Sequence, residues 1–331
     1  MYNNHFNYLS GYNQFYIRKC LYTDEVIKRF KKAREFTVNK AMITCISFSV
    51  NGQLMVTSSL DDQICVYDCN TGLLKRAIHV DNYGADILRP TSFWEIFFSS
   101  TKLNDDLRLL DVNENKYIRF FKGHDKRVTS LAICPYSRRC LSTSLDRTAA
   151  LWDTRVLNKV GMINHNSDNS VVAFDPSSLN FALGVNGSLL KLYDCRNVMN
   201  GPIKTFKYAN VEDWSQIEFS SDGNFCLIST NNDVIRLIDA KFGDPVQVFS
   251  GFANTVKIPL RASISPDSKY VLSGSTDCLV HIWNLNTGQK VKTVVGDKFG
   301  PVQCVAFHPK SMLFATASYK NTSFWRPDIF E

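Results

Sequence analysis

The sequence predicts an all-β fold, a seven-bladed β-propeller closed by an N-terminal strand, and three observations carry that expectation. An aromatic or aliphatic residue followed by a polar one recurs as Tyr67-Asp68, Leu110-Asp111, Trp152-Asp153, Tyr193-Asp194, Ile238-Asp239, Trp283-Asn284 and Trp325-Arg326. The second members are spaced 43, 42, 41, 45, 45 and 42 residues apart, the period of a four-stranded blade. Within each unit, alternating apolar runs are separated by turn signals, and helical periodicity is absent. Finally, the repeats finish at Pro327, so an earlier segment must supply the outermost strand of the seventh unit.

Taken in chain order, residues 1–24 are rich in Asn and Tyr and are expected to form a flexible extension, with residues 25–331 as one propeller domain. In DEVIKRFKKAREFTV, Val26, Ile27, Phe30 and Ala33 share a helical face while residues 33–38 alternate as in a strand. A short helical turn followed by the closing strand, near residues 32–38, is the reading. The run KRFKKAR, residues 28–34, holds five Lys or Arg in seven positions. It reads either as a nuclear-import or phosphate-contacting signal or as an edge strand carrying protective lysines. Hairpin signals follow at Val50-Asn51-Gly52, Pro135-Tyr136-Ser137, Pro176-Ser177-Ser178, Ser221-Asp222-Gly223, Pro266-Asp267-Ser268 and Pro309-Lys310-Ser311. The glycines of GVNGSLLK, residues 184–191, fit neither phosphate-loop pattern and are read as a hairpin turn of the fourth unit.

Composition narrows the function classes. No uninterrupted apolar run reaches the ~18 residues needed to cross a membrane, so no membrane role is expected. The net charge of +7 in 331 residues is below the signature of a nucleic-acid binder, and sequence-specific nucleic-acid binding is not expected. The ten cysteines are scattered without a C-x-x-C pair, and the first residues lack a secretory signal, which points to free thiols in a reducing compartment. His79, His124, His165, His281 and His308 are dispersed over different units, so neither a metal site nor a cofactor is expected.

The stretch GHDKRVTSLAICPYSRRCLSTSLDRTAALWD, residues 123–153, resembles a WD-repeat blade, opening on Gly-His and ending on Trp-Asp. His124, Ser142, Asp146 and Trp152 stand at the spacings of the structural hydrogen-bond network of such blades. A Ser-His-Asp catalytic set is the competing reading, but Ser142 lies inside an apolar strand run and no oxyanion site accompanies it. The expectation is a buried structural network in a non-catalytic protein. Thr57, Asp61 and Tyr67 repeat part of it in the first unit and Ser273, Asp277 and Trp283 in the sixth, both without a matching histidine. Alignment of the repeats places Met42, Ala85, Arg127, Asp168, Asp213, Ile258 and Pro301 around the channel mouth. There Lys126, Arg127 and Arg147, joined by Lys257 and Lys298, form a candidate partner-binding basic sector for an acidic or phosphorylated peptide. Ordinary solvated loop charge is the alternative.

Several stretches go beyond a generic repeat: NKYIRFFKGHDKRV, FDPSSLNFALGVNGSLLKLYDCR, GPIKTFK, FCLISTNNDVIRLIDA and HPKSMLFATASYKNTSFWRP. From about Asp24 to Pro327 the chain resembles the WD-repeat subunit shared by the COMPASS histone methyltransferase complex and by nuclear termination and phosphatase complexes. That resemblance implies a nuclear, non-catalytic adaptor, a monomer within a hetero-complex. It would bind a segment of a SET-domain methyltransferase specific for histone lysine 4, and the phosphorylated C-terminal repeats of RNA polymerase II. Service in mRNA cleavage and polyadenylation, termination or a phosphatase complex is the alternative it implies. The chain departs from the family in its Asn/Tyr-rich start and in the aliphatic anchors Leu110 and Ile238.

Overall fold

A computed structural model describes residues 22–91, 95–99, 102, 104–209, 212–298 and 300–328. After a short helix α1 (Asp24–Lys28) and strand β1 (Phe30–Phe36), the chain forms six consecutive four-stranded antiparallel sheets. Blade one is β2 (Ile43–Phe48), β3 (Leu54–Ser59), β4 (Gln63–Asp68) and β5 (Leu73–His79). Blade two is β6 (Leu88–Pro90), β7 (Glu95–Ser99), β8 (Leu107–Asp111) and β9 (Lys116–Phe121). Blade three is β10 (Val128–Ile133), β11 (Arg139–Ser144), β12 (Thr148–Asp153) and β13 (Gly161–Asn164). Blade four is β14 (Ser170–Phe174), β15 (Asn180–Val185), β16 (Leu189–Asp194) and β17 (Lys204–Lys207). Blade five is β18 (Trp214–Phe219), β19 (Phe225–Thr230), β20 (Ile235–Asp239) and β21 (Pro245–Phe249). Blade six is β22 (Ala262–Ile264), β23 (Tyr270–Gly274), β24 (Leu279–Asn284) and β25 (Lys290–Val295). The seventh sheet takes β26 (Cys304–Phe307), β27 (Phe314–Ala317) and β28 (Thr322–Pro327) from the end of the repeats and β1 from their beginning.

The first strands of successive blades touch one another around the complete ring, so they line the central channel. Because each sheet is antiparallel, the loop into a first strand and the turn joining second and third strands lie at the same end, called here the upper face. The other hairpin turns lie on the lower face.

The recurring anchor pair has a local cause. It closes the third strand of blades one to six, where the first member is buried and the second caps the following turn. Asp68 Oδ1 accepts from the amides of Asn70 and Thr71, Asp239 Oδ1 from those of Lys241 and Phe242, and Asn284 Oδ1 from those of Asn286 and Thr287. These are Asx turns, which is why the second anchor is Asp or Asn in all six. The first anchors pack between neighbouring blades: Trp152 takes the edge of Phe121 of blade two at 5.9 Å. Leu110 and Ile238 bury just as completely without an aromatic ring.

Ring closure follows the sequence-based expectation, with the strand two residues earlier than read. β1 pairs antiparallel with β28, from Phe30 opposite Pro327 to Phe36 opposite Thr322. Phe30 is 1% exposed and stacks on Phe314 at 5.0 Å. The basic run lies on this outer edge: Lys31 pairs with Asp328 at 2.6 Å, Lys32 with Glu35 at 3.1 Å, and Arg34 donates to Gly72 O. That is the arrangement of a charged edge strand.

One boundary needs correction. Of the extension expected over residues 1–24, residues 1–21 lie outside the described residues, but residues 22–24 belong to the fold. Tyr22 is 1% exposed, stacks on Phe30 at 6.3 Å, and donates from its hydroxyl to Ser311 O at 3.0 Å. Thr23 caps α1, and Asp24 accepts from the Tyr270 hydroxyl at 2.6 Å. A Tyr in a polar stretch thus fills a gap between blades six and seven, a long-range fit that local composition does not reveal.

The turn of blade four is a left-handed pair, Asn186 at φ 55° and Gly187 at φ 61°. All nine described cysteines are free, and eight are buried.

Candidate functional site

Blade three carries a continuous relay of side chains on the upper face. Trp152 Nε1 donates to Ser142 Oγ at 2.8 Å, and Ser142 Oγ lies 2.7 Å from His124 Nε2. His124 Nδ1 lies 2.8 Å from Asp146 Oδ2. Since the indole only donates and the carboxylate only accepts, the protons run from Trp152 through Ser142 and His124 to Asp146. Asp146 also accepts from the amides of Asp125 and Thr148 and from the Thr148 hydroxyl at 2.7 Å. Burial pushes the Asp146 carboxyl up, but hydrogen bonds from Thr148, His124 and Asp125 outweigh it and hold the group at about 2. Burial depresses the His124 imidazole, which Asp146 offsets only in part. Ser142 is 0% exposed. Its hydroxyl is sealed between indole and imidazole, without the access a nucleophile needs.

In the other blades the same places are filled differently. Asn39 stands four residues before β2 as His124 stands before β10, and Asp61 accepts from the Lys40 amide at 2.6 Å. In blade six, Ser273 donates to Gly274 O at 2.9 Å, while Asp277 faces His281 of β24 at 3.4 Å. In blade seven, Trp325 Nε1 donates to Thr316 Oγ1 at 2.9 Å, and the buried Asp297 accepts from Ser318 Oγ and Asn321 Nδ2.

The basic residues are placed less simply than the repeats implied. Arg127, on the loop into β10, donates through Nε at 3.1 Å and Nη2 at 2.6 Å to Asp86 on the loop into blade two. Arg147, in the upper turn of blade three, pairs at 2.6 Å with Asp168 on the loop into blade four. Both guanidiniums therefore tie blade three to its neighbours while leaving their side chains 65% and 61% exposed. Lys126 is exposed, and its charge acts on Asp168. Lys257 and Lys298 are exposed on the loops into blades six and seven, three blades away from blade three in either direction. The five cations thus form two separate patches across the channel rather than one sector. Of the ring residues aligned with them, Ala85 is buried at 3%.

Sequence reasoning missed two further arginines. Arg89 on β6 and Arg261, immediately before β22, reach Cys45 of β2 from the channel side, through Nη1 at 3.4 Å and 3.0 Å. The signal was present as a cation in each of two inner-strand runs, LRP and LRASI.

Seven four-stranded sheets around a channel, Asx-capped anchors and the Trp-Ser-His-Asp relay define a WD-repeat propeller. The family described as WD domain, G-beta repeat matches residues 30–68, 115–153, 243–284 and 288–325. WD repeat-containing protein 82 of Drosophila melanogaster is 46% identical over 307 residues, covering 92% of this chain and 96% of that protein. The COMPASS component SWD2 of Saccharomyces cerevisiae is 29% identical over 87% of this chain and 93% of its own length. The Set1 complex component swd2 of Schizosaccharomyces pombe is 34% identical over 70% of this chain and 68% of its own. The chain belongs to this family, that of WD repeat-containing protein 82 and SWD2.

Proposed function

We propose that the protein is a non-catalytic nuclear adaptor in a histone lysine-4 methyltransferase complex, linking a SET-domain subunit to RNA polymerase II through its phosphorylated C-terminal repeat. The observation that carries this reading is the similarity, over 70 to 92% of the chain, to relatives, two of which are named as components of COMPASS and of the Set1 complex. The upper-face loops supply a physical means. Arg127 and Arg147 are held at fixed positions by single carboxylates, and each keeps N–H donors open on an exposed fork. Such forks donate to phosphate oxygens in charge-assisted, bidentate geometry.

Affinity purification from nuclear extract, with mass spectrometry of what accompanies the protein, tests the assembly. A SET-domain protein and polymerase subunits are expected. A phosphatase or cleavage factor without a methyltransferase would move the protein to the termination machinery. Direct recognition is tested by titrating a phosphorylated heptad-repeat peptide. Arg127→Glu is expected to weaken binding by roughly 1.5 to 3 kcal/mol, the value of one charge-assisted contact. Unchanged affinity refutes a role for this rim.

A further inference from the structure

We propose that the axial channel holds an oxyanion site in which Arg89 and Arg261 together grip a phosphate-class group. The inference goes beyond the adaptor reading and does not rest on it. Cys45, Arg89 and Arg261 come from blades one, two and six, and both guanidiniums donate to the one sulfur. Blade seven separates blades six and one, so the contact from Arg261 to Cys45 runs across the channel lumen.

Two cations held this close need counter-charge, and the channel supplies too little. Neither arginine forms an ion pair with a carboxylate among the described residues, whereas Arg127, Arg147, Arg155, Arg196 and Arg236 all do. Cys45 offers one negative charge at most: burial pushes its thiol up, and Arg261 and Arg89 pull it down further. The neighbouring carboxyl, Glu218 of β18, is pushed by burial to about 7 and accepts from the Ile264 amide at 3.0 Å, Ser263 Oγ at 3.2 Å and Gln216 Nε2. Asp86 also acts on Arg261 but is already paired with Arg127, so near neutral pH the two guanidiniums exceed the counter-charge that Cys45 and Glu218 supply.

The donor inventory points the same way. A guanidinium has five N–H groups in a rigid fork. Arg261 engages Cys45 through Nη1, and Arg89 engages Cys45 and Leu88 O through the same atom. The Nε and Nη2 groups of both have no hydrogen-bond acceptor among the described residues. Both side chains are only half-buried, so these edges face the solvent of the channel. A tetrahedral oxyanion offers separate oxygens to both forks at once, which suits the pair to phosphate chemistry.

The test compares thermal unfolding and calorimetric titration of the full chain in inorganic phosphate and in chloride at matched ionic strength. Phosphate is expected to raise the unfolding midpoint saturably, and Arg89→Met and Arg261→Met are each expected to weaken binding roughly tenfold or more. Cys45→Asp sets a fixed carboxylate between the two forks. It is expected to abolish the phosphate response without lowering the midpoint, so the proposal remains testable even if the arginine variants fold poorly. A phosphoserine peptide as a second probe distinguishes the sources. Tighter binding than free phosphate, lost in Arg261→Met, assigns the group to a phosphorylated chain, and equal binding assigns it to the free ion. Identical behaviour in phosphate and chloride overturns the proposal, as does phosphate binding undiminished in both Arg261→Met and Cys45→Asp.

Discussion

Acidification from pH 7.5 to 5 is expected to loosen the seam between blades seven and one through His308. This residue is 2% exposed on the lower face, between the two blades. Its Nε2–H donates to Gly52 O at 2.7 Å, and Nδ1 accepts from the amides of Lys310 at 3.0 Å and Ser311 at 2.9 Å and from Ser311 Oγ at 2.7 Å. A proton on Nδ1 would face two backbone N–H groups that cannot turn away. Burial, the largest cause, and the nearby Lys310 hold the imidazole at about 4, against an ordinary value of 6.5. Below 6.5 the unfolded chain takes up a proton that the folded ring refuses. Stability is therefore lost as pH falls from about 6.5 toward 4, reaching roughly 3 kcal/mol in full and about 2 kcal/mol by pH 5. His124, His165 and His281 are depressed by burial as well, so the difference between wild type and a variant isolates His308. His308→Gln keeps a donor for Gly52 O and an acceptor for Ser311 but does not titrate. Urea unfolding at the two pH values should show the variant losing about 2 kcal/mol less than wild type on acidification. Equal losses in both proteins would refute the reasoning.

Three other outcomes follow from the same geometry. Ser142→Ala leaves the Trp152 indole N–H and the His124 imidazole buried without their partner, and is expected to cost about 2 to 4 kcal/mol in urea unfolding. A double-mutant cycle with Trp152→Phe should recover part of that loss. Phe30→Ala removes the ring that β1 lodges against Phe314, and should cost about 3 to 5 kcal/mol and raise amide exchange first in β1 and β28. Gly187→Ala would place a Cβ 1.6 Å from Glu212 O at a φ of +61°, so its unfolding free energy in urea should fall by more than the ~1 kcal/mol typical of a left-handed glycine site.

The repeat architecture was legible because it rests on local chemistry. An Asp or Asn that caps the turn after a strand leaves the same mark in every blade, whichever apolar residue precedes it, and so Leu110 and Ile238 did not obscure the count. The relay of blade three was legible for a similar reason, its four side chains being fixed by loop and hairpin lengths. Contacts between blades were not. Asp86 stands 41 positions before Arg127, about one repeat away, and only the docking of blade two on blade three brings the two together. The split of the basic residues into two patches depends on ring geometry, as does the meeting of Arg89 and Arg261 over Cys45. Tyr22 gave no periodic signal, because a single side chain filling a gap has no period.

The joining of β1 to β28 gives this protein an order of assembly in time. Lys31 and Asp328, paired in the finished ring, lie 297 positions apart in the chain. A ribosome adding about 5 to 20 residues per second exposes β1 for some tens of seconds before its partner strand emerges. Six blades have all their strands by then, while Phe30 and Tyr22 have yet to meet Phe314 and Ser311. The basic residues of β1, Lys31, Lys32 and Arg34, thus serve the nascent chain before they serve the ring, discouraging a waiting strand from pairing with another molecule. Folding of the seventh blade becomes the last and slowest event, because its closure spans nearly the whole sequence.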